Sequence, residues 1–303
     1  MLAAALALLV PASAAAQTSV LRVEGLAVNG MAAHGAVEPA IVEPDSLLFA
    51  WRVGCAAEKA DGGGACRGAR ASAYRLVVKK GAGDEAGNEA VVYDSGRVQS
   101  VATEHALAHP TALPPDTRFH FEVTVHPDEE GTASGTFRTL ATARGAFQTA
   151  LRSDSSDDWL GAKWIAGFTQ ARAGFAVRAG ATVASATAYA SGLGCFELTL
   201  NGQRVADSMM DPGWSTIPPM RLLYRAYDVS SLLKPGDNAA GVRLGFCHYG
   251  YVDQAFCVEG HAMRDTCRGF VMRLSIKYSD GKTHDVLTTA DGSGGATWSG
   301  TVQ

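Results

Sequence analysis

The sequence predicts an all-β fold made of two successive antiparallel β-sandwiches, of which the second is of jelly-roll type. Short segments that alternate apolar and polar residues dominate the chain, and long helical periodicity is nearly absent. The composition turns small, polar and acidic near the middle, which divides the chain into two regions. With 303 residues, of which 47% are hydrophobic and 18% charged, the chain can bury a core in each region.

The first region, residues 20–142, contains strands bounded by turn sequences. In "RFHFEVTV", which starts at Arg118, the side chains of Phe119, Phe121, Val123 and Val125 are expected to point to one face. "LLFAWRV" and "YRLVVKK" have a similar pattern, and "ALPPDT" and "HPDEEGT" supply turn residues on either side of the clearest strand. A sandwich the size of one domain accommodates these strands.

A linker is predicted over residues 143–158, within the stretch "ATARGAFQTALRSDSSDDW". Its residues are small, polar and acidic, which is typical of a linker or an exposed crossover. The acidic run from Ser153 to Asp158 is expected to be a solvated face rather than a metal site.

The second region, residues 159–303, also alternates. "TAYASGL" and "CFELTLNG" are predicted to pair with each other, and Asn201-Gly202 is predicted to close a hairpin between "LTL" and "QRV". "YRAYDVSSLLKPGDN" predicts a strand followed by one helical turn. An Asp280-Gly281 turn joins the two strands of "RLSIKYSDGKTHDVLTT". These strands suit a jelly roll.

Residues 1–16 are predicted to be a signal peptide, although no Lys or Arg precedes the apolar run. The apolar run ends near an A-x-A site at Ala14–Ala16, so we expect a secreted, extracellular protein. No later segment is long and apolar enough to predict a membrane span. The net charge is −4 without a basic stripe, which argues against nucleic acid as a partner.

Six cysteines suit an oxidising compartment, and all six are disulfide candidates: Cys55, Cys66, Cys195, Cys247, Cys257 and Cys267. Spacing does not determine how they pair. Zinc is the competing interpretation, because His248 and His261 lie near the last three cysteines. No CxxC or HxxxH spacing supports it.

An ordered series of segments resembles the N-terminal non-catalytic modules of bacterial-type α-L-rhamnosidases, glycoside hydrolase family 78. "FAWRV", "AYRLVV", "VYDSGRVQS" and "LPPDTRFHFEV" are similar to the family's fibronectin-III/immunoglobulin-like sandwich, and "WLGAKWI" resembles its junction. "ASGLGCFELTLNGQRVAD" and "DPGWSTIPPMRLLYRAYDVSSLLKPGDNAAGVRLG" are similar to the family's galactose-binding-like jelly roll. The Cys-rich "CHYGYVDQAFCVEGHAMRDTC" departs from the family and suggests a local disulfide-bonded insertion.

The resemblance implies the N-terminal portion of a secreted enzyme that hydrolyses terminal α-L-rhamnose of glycosides. The family places its catalytic carboxylates in an (α/α)₆ barrel downstream of these modules, and no position here matches them. We therefore expect no catalytic residue in this chain, and we expect the chain alone to be inactive. The implied partners are rhamnose-containing glycans and, if the gene continues, the catalytic barrel.

The candidate carbohydrate-binding residues are Asn201, Asp211, Trp214 and Tyr224. A sugar site needs a flat apolar face and carboxylate or amide groups for hydroxyls, and these residues supply both. The alternative is structural: Trp214 packs against the sandwich and Asp211 caps a turn. Because related jelly rolls bind rhamnose with calcium, Asp207 and Asp211 are candidate calcium ligands, although their spacing matches no calcium loop.

Two other functions remain open at this stage. One is a stand-alone rhamnose-binding, lectin-like protein, and the other is a structural protein of two β modules. In the first module, His105 and His109 suggest nothing beyond a surface position.

Overall fold

A computed structural model of the chain describes residues 20–33, 40–56, 71–81, 90–107, 113–127, 141–152, 156–213, 222–245, 247, 268–289 and 293–301. The chain divides into two compact units, Met1–Ala150 and Leu151–Gln303. No helix in the described ranges has the length and apolar character needed to cross a membrane. The predicted signal peptide, residues 1–16, lies outside the described residues.

The first unit consists of two facing antiparallel sheets. Its strands are β1 (Val20–Val28), β2 (Met31–Ala32), β3 (Ala40–Val42), β4 (Leu47–Ala56), β5 (Ala71–Lys80), β6 (Ala90–Asp94), β7 (Glu104–Leu107), β8 (Arg118–Pro127) and β9 (Ala141–Thr149). One sheet has the strand order β2-β1-β4-β7 and the other β3-β9-β8-β5-β6. The short β3 is the exception in direction, since it runs parallel to β9.

The core of the first unit lies on the face that the alternation of β8 predicts. Phe119, Phe121, Val123 and Val125 are all at most 1% exposed, which confirms that prediction. The ring centroids of Phe49 and Phe121 lie 5.0 Å apart in an edge-to-face arrangement. Residues from both sheets therefore interdigitate in one core, as the burial of period-two faces requires.

The boundary predicted for the first sandwich, and with it half of the linker, is wrong. Residues 141–149 form β9, which pairs along its length with β8. The small residues that suggested a linker serve packing, because a Cβ on Gly145 would come within 2.5 Å of the Phe121 ring. A glycine there leaves space for a core aromatic, which composition alone does not distinguish from a flexible segment.

The second unit has two sheets of five strands each. Its strands are β10 (Ile165–Ala166), β11 (Gln170–Val177), β12 (Val183–Leu193), β13 (Cys195–Leu200), β14 (Gln203–Arg204), β15 (Arg225–Asp228), β16 (Gly236–Gly245), β17 (Gly269–Tyr278), β18 (Thr283–Leu287) and β19 (Thr297–Thr301). Two 3₁₀ turns occur at Asp157–Trp159 and Ser230–Leu232. One sheet has the order β10-β17-β12-β15 with β18 also on β17, and the other β14-β13-β16-β11-β19.

The core of the second unit joins small residues of one strand to large residues of its neighbours. Ala186, Ala188 and Ala190 of β12 are at most 1% exposed, beside Phe270 and Met272 of β17. Both faces of β17 are buried, so this strand is central to the unit. An all-β chain with two sandwich-like units is thus confirmed as the fold class.

Two turn predictions for this unit are confirmed, and one strand pairing is wrong. The Asn201-Gly202 turn joins β13 to β14, with both residues at positive φ (52° and 82°), as two-residue hairpin turns require. The Asp280-Gly281 turn joins β17 to β18. However, β12 and β13 belong to different sheets, because Gly194 at φ 101° redirects the chain between them.

Candidate functional site

The hairpin amide Asn201 is held entirely by the protein. Its side-chain nitrogen donates to the carbonyl of Leu232 and to the side-chain oxygen of Asn238, each at 2.8 Å. Its side-chain oxygen accepts the backbone N–H of Ala239 at 3.0 Å. The amide therefore uses its donors and its acceptor in hydrogen bonds that join the turn to neighbouring segments, as polar groups inside proteins usually do.

Asp211 lies at the edge of the second sandwich, where its backbone pairs with β13. The backbone N–H of Phe196 donates to the Asp211 carbonyl at 2.7 Å, and the Asp211–Pro212 peptide bond is cis. The carboxylate accepts the Ser208 hydroxyl at 2.5 Å and the Tyr227 hydroxyl at 2.7 Å on one oxygen. The other oxygen lies 3.2 Å from the guanidinium of Arg225.

These contacts make Asp211 a cross-link between the two sheets of the second unit. Its backbone belongs to the β13 side, whereas Tyr227 lies on β15 in the opposite sheet. Asp211 and Tyr227 are each 7% exposed. Burial, and then the hydrogen bond and charge of Asp211, raise the pKa of Tyr227 far above its usual value. The hydroxyl therefore remains a donor to the carboxylate at all ordinary pH values.

Tyr224 packs against the segment that enters the second unit. Its hydroxyl donates to the carbonyl of Leu151 at 2.5 Å. Its ring lies edge-on to Trp159 at 5.7 Å and to Tyr189 at 6.3 Å. A ring engaged by two aromatic neighbours and a backbone carbonyl does not offer the open, flat face that a sugar would need.

Among the described residues, the structure does not bring Asn201 and Asp211 together. Asp211 pairs at Phe196, whereas Asn201 lies at the other end of β13, about 16 Å away at the usual rise per residue. Trp214 lies outside the described residues. The described residues also hold no group of three or more His, Cys, Asp or Glu side chains that could bind a metal, and Asp207 is exposed. Both oxygens of Asp211 are engaged by protein donors, so the calcium hypothesis gains no geometric support.

One disulfide falls within the described residues. Cys195 and Cys247 are bonded, with Cα atoms 5.6 Å apart and a sequence separation of 52 residues. The predictions for Cys66, Cys257 and Cys267 concern undescribed residues, as does zinc binding at His248 and His261. The side chain of Cys55 is likewise not described.

A buried acid in the predicted linker was missed by sequence reasoning. Asp158 is 6% exposed, not solvated, and it forms an ion pair with Arg152 at 2.8 Å. Burial disfavours its charged form, yet the hydrogen bonds and charge of Arg152 hold the pKa of Asp158 below its usual value. Its backbone carbonyl also accepts Arg273 at 2.6 Å. Aspartates in an acidic run give no local signal of this, because their partners lie elsewhere in the sequence.

His105 is also not a simple surface residue. Its Nδ1 lies 2.8 Å from the Tyr74 hydroxyl and its Nε2 lies 2.6 Å from the Tyr93 hydroxyl. Burial lowers the pKa of His105 below its usual value. The imidazole therefore bridges two strands of the first unit as a neutral, doubly hydrogen-bonded ring.

A groove on the outer face of the β13-β16-β11-β19 strands was not visible in the sequence. It encloses about 400 Å³, and we call it the sheet groove. Strand register places Glu197, Arg243, Gln170 and Thr301 in one row across it. The alternation of each strand predicts that its residue in this row points outward. The sequence does not predict that the four residues lie side by side, because this depends on the strand order.

Comparison with known proteins finds similarity to α-L-rhamnosidases in the second unit. Residues 181–300 match the family model described as "Alpha-L-rhamnosidase N-terminal domain". An α-L-rhamnosidase of Formosa agariphila is 27% identical over 273 residues. The resemblance to the N-terminal region of α-L-rhamnosidases is therefore confirmed. An α-L-rhamnosidase of Streptomyces avermitilis is 30% identical over 109 residues, which are 36% of this chain and 10% of the relative.

The match to α-L-rhamnosidases covers most of this chain but a minor part of its relatives. The chain aligns over 80% of its own length with 27% of the Formosa protein. The solved structure of the native α-L-rhamnosidase from Aspergillus terreus matches with a TM-score of 0.64 and 21% identity, covering 92% of this chain and 29% of that one. At that identity the structural likeness shows the fold, which agrees with the β units described above.

Proposed function

We propose that this chain is the N-terminal, non-catalytic region of a secreted α-L-rhamnosidase that acts on terminal α-L-rhamnose of glycosides. The observation that supports the proposal most strongly is the family match over residues 181–300, which lies within the second β unit. The chain spans 27% of the Formosa relative, so the relative's activity belongs to a protein with much additional length. Rhamnose-containing glycans are accordingly the proposed substrates of the whole enzyme.

In this proposal the two β units position or support the enzyme, and hydrolysis takes place elsewhere. An inverting glycosidase needs a protonated carboxylic acid with a raised pKa and a second carboxylate as base. The buried or half-buried acids Asp211, Asp158 and Asp285 are each held by an arginine, at 3.2, 2.8 and 2.8 Å. For Asp158, the hydrogen bonds and charge of Arg152 hold the pKa below its usual value, which does not suit a general acid.

The test is an activity assay of the purified 303-residue chain on an aryl α-L-rhamnoside. We expect no turnover, while the Formosa relative assayed in parallel serves as the positive control. Turnover of the aryl α-L-rhamnoside by the purified chain would overturn the non-catalytic role. A separate passage over rhamnose resin, with and without calcium, tests the lectin-like alternative, for which retention is the supporting result.

Secretion is part of the same proposal. It is supported by the apolar leader, with its A-x-A site before Gln17, and by the disulfide between Cys195 and Cys247, since such bonds persist in oxidising compartments. Expression with the native N-terminus in a secreting bacterial host tests it. We expect extracytoplasmic protein whose N-terminal residue, by mass spectrometry, is Gln17. Cytoplasmic protein that retains Met1 or Leu2 would contradict it.

A further inference from the structure

We propose that the sheet groove binds an anionic saccharide, with Arg172 and Arg243 holding its carboxylate or sulfate group. This inference concerns a face of the second unit that is separate from Asn201, Asp211 and Tyr224. It does not depend on the proposed rhamnosidase function, because it is tested by binding to the chain itself.

The floor of the groove is built from two adjacent rows of outward residues. Beside the row that contains Arg243, strand register aligns Thr199, Gly241, Arg172 and Ser299. A Cβ on Gly241 would lie 2.8 Å from the Thr199 hydroxyl oxygen, so the glycine keeps the middle of the floor low. Four strands about 4.8 Å apart give a row about 14 Å across. The volume of about 400 Å³ falls in the range of small-molecule sites.

Arg172 and Arg243 form no ion pair with another described residue, unlike Arg152, Arg225 and Arg273 of the same unit. Within the described ranges, no carboxylate lies within 4.0 Å of the guanidinium of Arg172 or Arg243. The one acid of the groove, Glu197, lies 4.0 Å from Arg204. Strand register places Glu197 opposite Arg243, but no ion pair within 4.0 Å joins them among the described residues. Both arginines are exposed on the concave surface, so their guanidinium groups are accessible to a ligand.

Their placement on the sheet lets both arginines reach one ligand. Arg243 pairs across strands with Gln170, and Arg172 is two residues further along β11, so the arginines are diagonal neighbours. Diagonal neighbours have Cβ atoms about 7–8 Å apart, within reach of long side chains. An anion between them would relieve their repulsion, and guanidinium groups match the planar or forked oxygens of carboxylates and sulfates.

The remaining lining residues suit a sugar better than a simple ion. Glu197 can accept hydrogen bonds from sugar hydroxyls, and the hydroxyl groups of Ser299 and Thr301 can both donate and accept. No aromatic ring lines the groove among the described residues, so a neutral sugar would lack a stacking surface there. The combination therefore favours an acidic sugar that is held by charge and hydrogen bonds.

The experiment measures retention of the full chain in native gels that contain one polysaccharide. Polygalacturonate supplies carboxylates, dextran sulfate supplies sulfates, and dextran is the neutral control. We expect retardation by one or both polyanions and none by dextran, with the effect weakening at ~0.5 M salt. If polygalacturonate alone retards the chain, the ligand group is a carboxylate. If dextran sulfate alone retards it, the ligand group is a sulfate.

Variants separate a built site from general charge attraction. We expect R172Q and R243Q each to weaken binding about tenfold, as the loss of a charged hydrogen bond does, and the double variant to abolish it. The double variant R22Q/R97Q removes the same net charge from exposed arginines of the first unit and should bind normally. Thermal unfolding of both double variants should match the unaltered chain, because the altered side chains have no described protein partner.

Three results would overturn the proposal. The first is the absence of retardation by either polyanion at low salt. The second is an equal loss of binding in R22Q/R97Q, which would mean that net charge alone is sensed. The third is equal retardation by dextran, which would show that the arginines do not select an anionic group.

Discussion

The carboxylate of Asp211 gives the sharpest test of whether the polar cluster at the sandwich edge is structural. In Asp211→Ala the buried Tyr227 hydroxyl loses its acceptor, which costs about 1–3 kcal/mol. Loss of the part-buried Ser208 hydrogen bond adds about 1 kcal/mol. The ion pair with Arg225 adds at most about 1 kcal/mol, because the arginine side chain is 48% exposed. We expect a total destabilisation of about 3 kcal/mol.

A double-mutant cycle assigns part of this cost to the pair between the two sheets. Tyr227→Phe alone removes one hydrogen bond to a charged acceptor and should cost about 1.5–2 kcal/mol. In the double variant with Asp211→Ala the same bond is lost only once, so we expect a coupling free energy of about 1.5 kcal/mol. Asp207→Ala, an exposed position in the same loop, is the matched control and should change stability by less than ~0.5 kcal/mol.

The assay has to report on the second unit alone, because a chain with two units need not unfold in one step. Hydrogen exchange followed by mass spectrometry, on peptides that cover β13 and β15, gives the local free energy of opening. If the peptides of β13 and β15 are equally protected from exchange in the Asp211→Ala and Asp207→Ala proteins, the cross-link assigned to Asp211 is wrong. Loss of rhamnose-resin retention in a fully stable Asp211→Ala protein would instead show a sugar ligand.

Three further predictions concern separate parts of the chain. Burial lowers the pKa of His105, so as the pH falls below ~6.5 the unfolded state takes up the histidine proton before the folded state does. The first unit should therefore lose stability between pH 7.5 and 5.5. His105→Gln should reduce the slope of melting temperature against pH in this range. An unchanged slope would exclude His105 as the cause. Replacing Cys195 and Cys247 by serine should cost up to about 4 kcal/mol in urea unfolding, given a closed loop of 52 residues, and a loss below ~1 kcal/mol would contradict this. Gly300→Ala should destabilise by about 1–3 kcal/mol, because its Cβ would lie 2.6 Å from Phe168, whereas Gly174→Ala meets no atom closer than 4.0 Å and should not.

The strands were predictable because their signal is local. The alternation in β8 and the Asn201-Gly202 turn each depend on a few adjacent residues, and both are found as predicted. The partner of β12 is not encoded in this way. Its residues from Val183 to Leu193 pair with Gly269–Tyr278, more than 70 residues further along the chain, rather than with the adjacent β13. Sequence proximity favoured the wrong neighbour, since a glycine can direct the chain either into a hairpin or into the other sheet.

The candidate site was less predictable, because its chemistry depends on partners that are distant in sequence. Asp211 has the residue type of a sugar or calcium ligand, yet its oxygens are engaged by Tyr227 and Arg225. Asp158 has the residue type of a solvated acid, yet Arg152 and burial make it part of the interior. Residue type therefore indicates which ligands a side chain is able to bind. Only the fold shows whether its hydrogen-bonding and charged groups are already engaged by other residues of the protein.

The same criterion separates the two polar regions of the second unit. At the sandwich edge, Asn201 and Asp211 have donors and acceptors within the protein for their side-chain polar atoms, so their truncation should reduce stability. In the sheet groove, Arg172 and Arg243 have no such partners among the described residues, so their replacement should leave stability unchanged and remove binding instead. A polar group that forms hydrogen bonds within the fold contributes to folding, whereas an exposed charge without a protein partner remains available to bind a ligand. Opposite responses of stability and binding in these two sets of variants would therefore place the ligand-binding surface of this unit on the outer face of the sheet rather than at its edge.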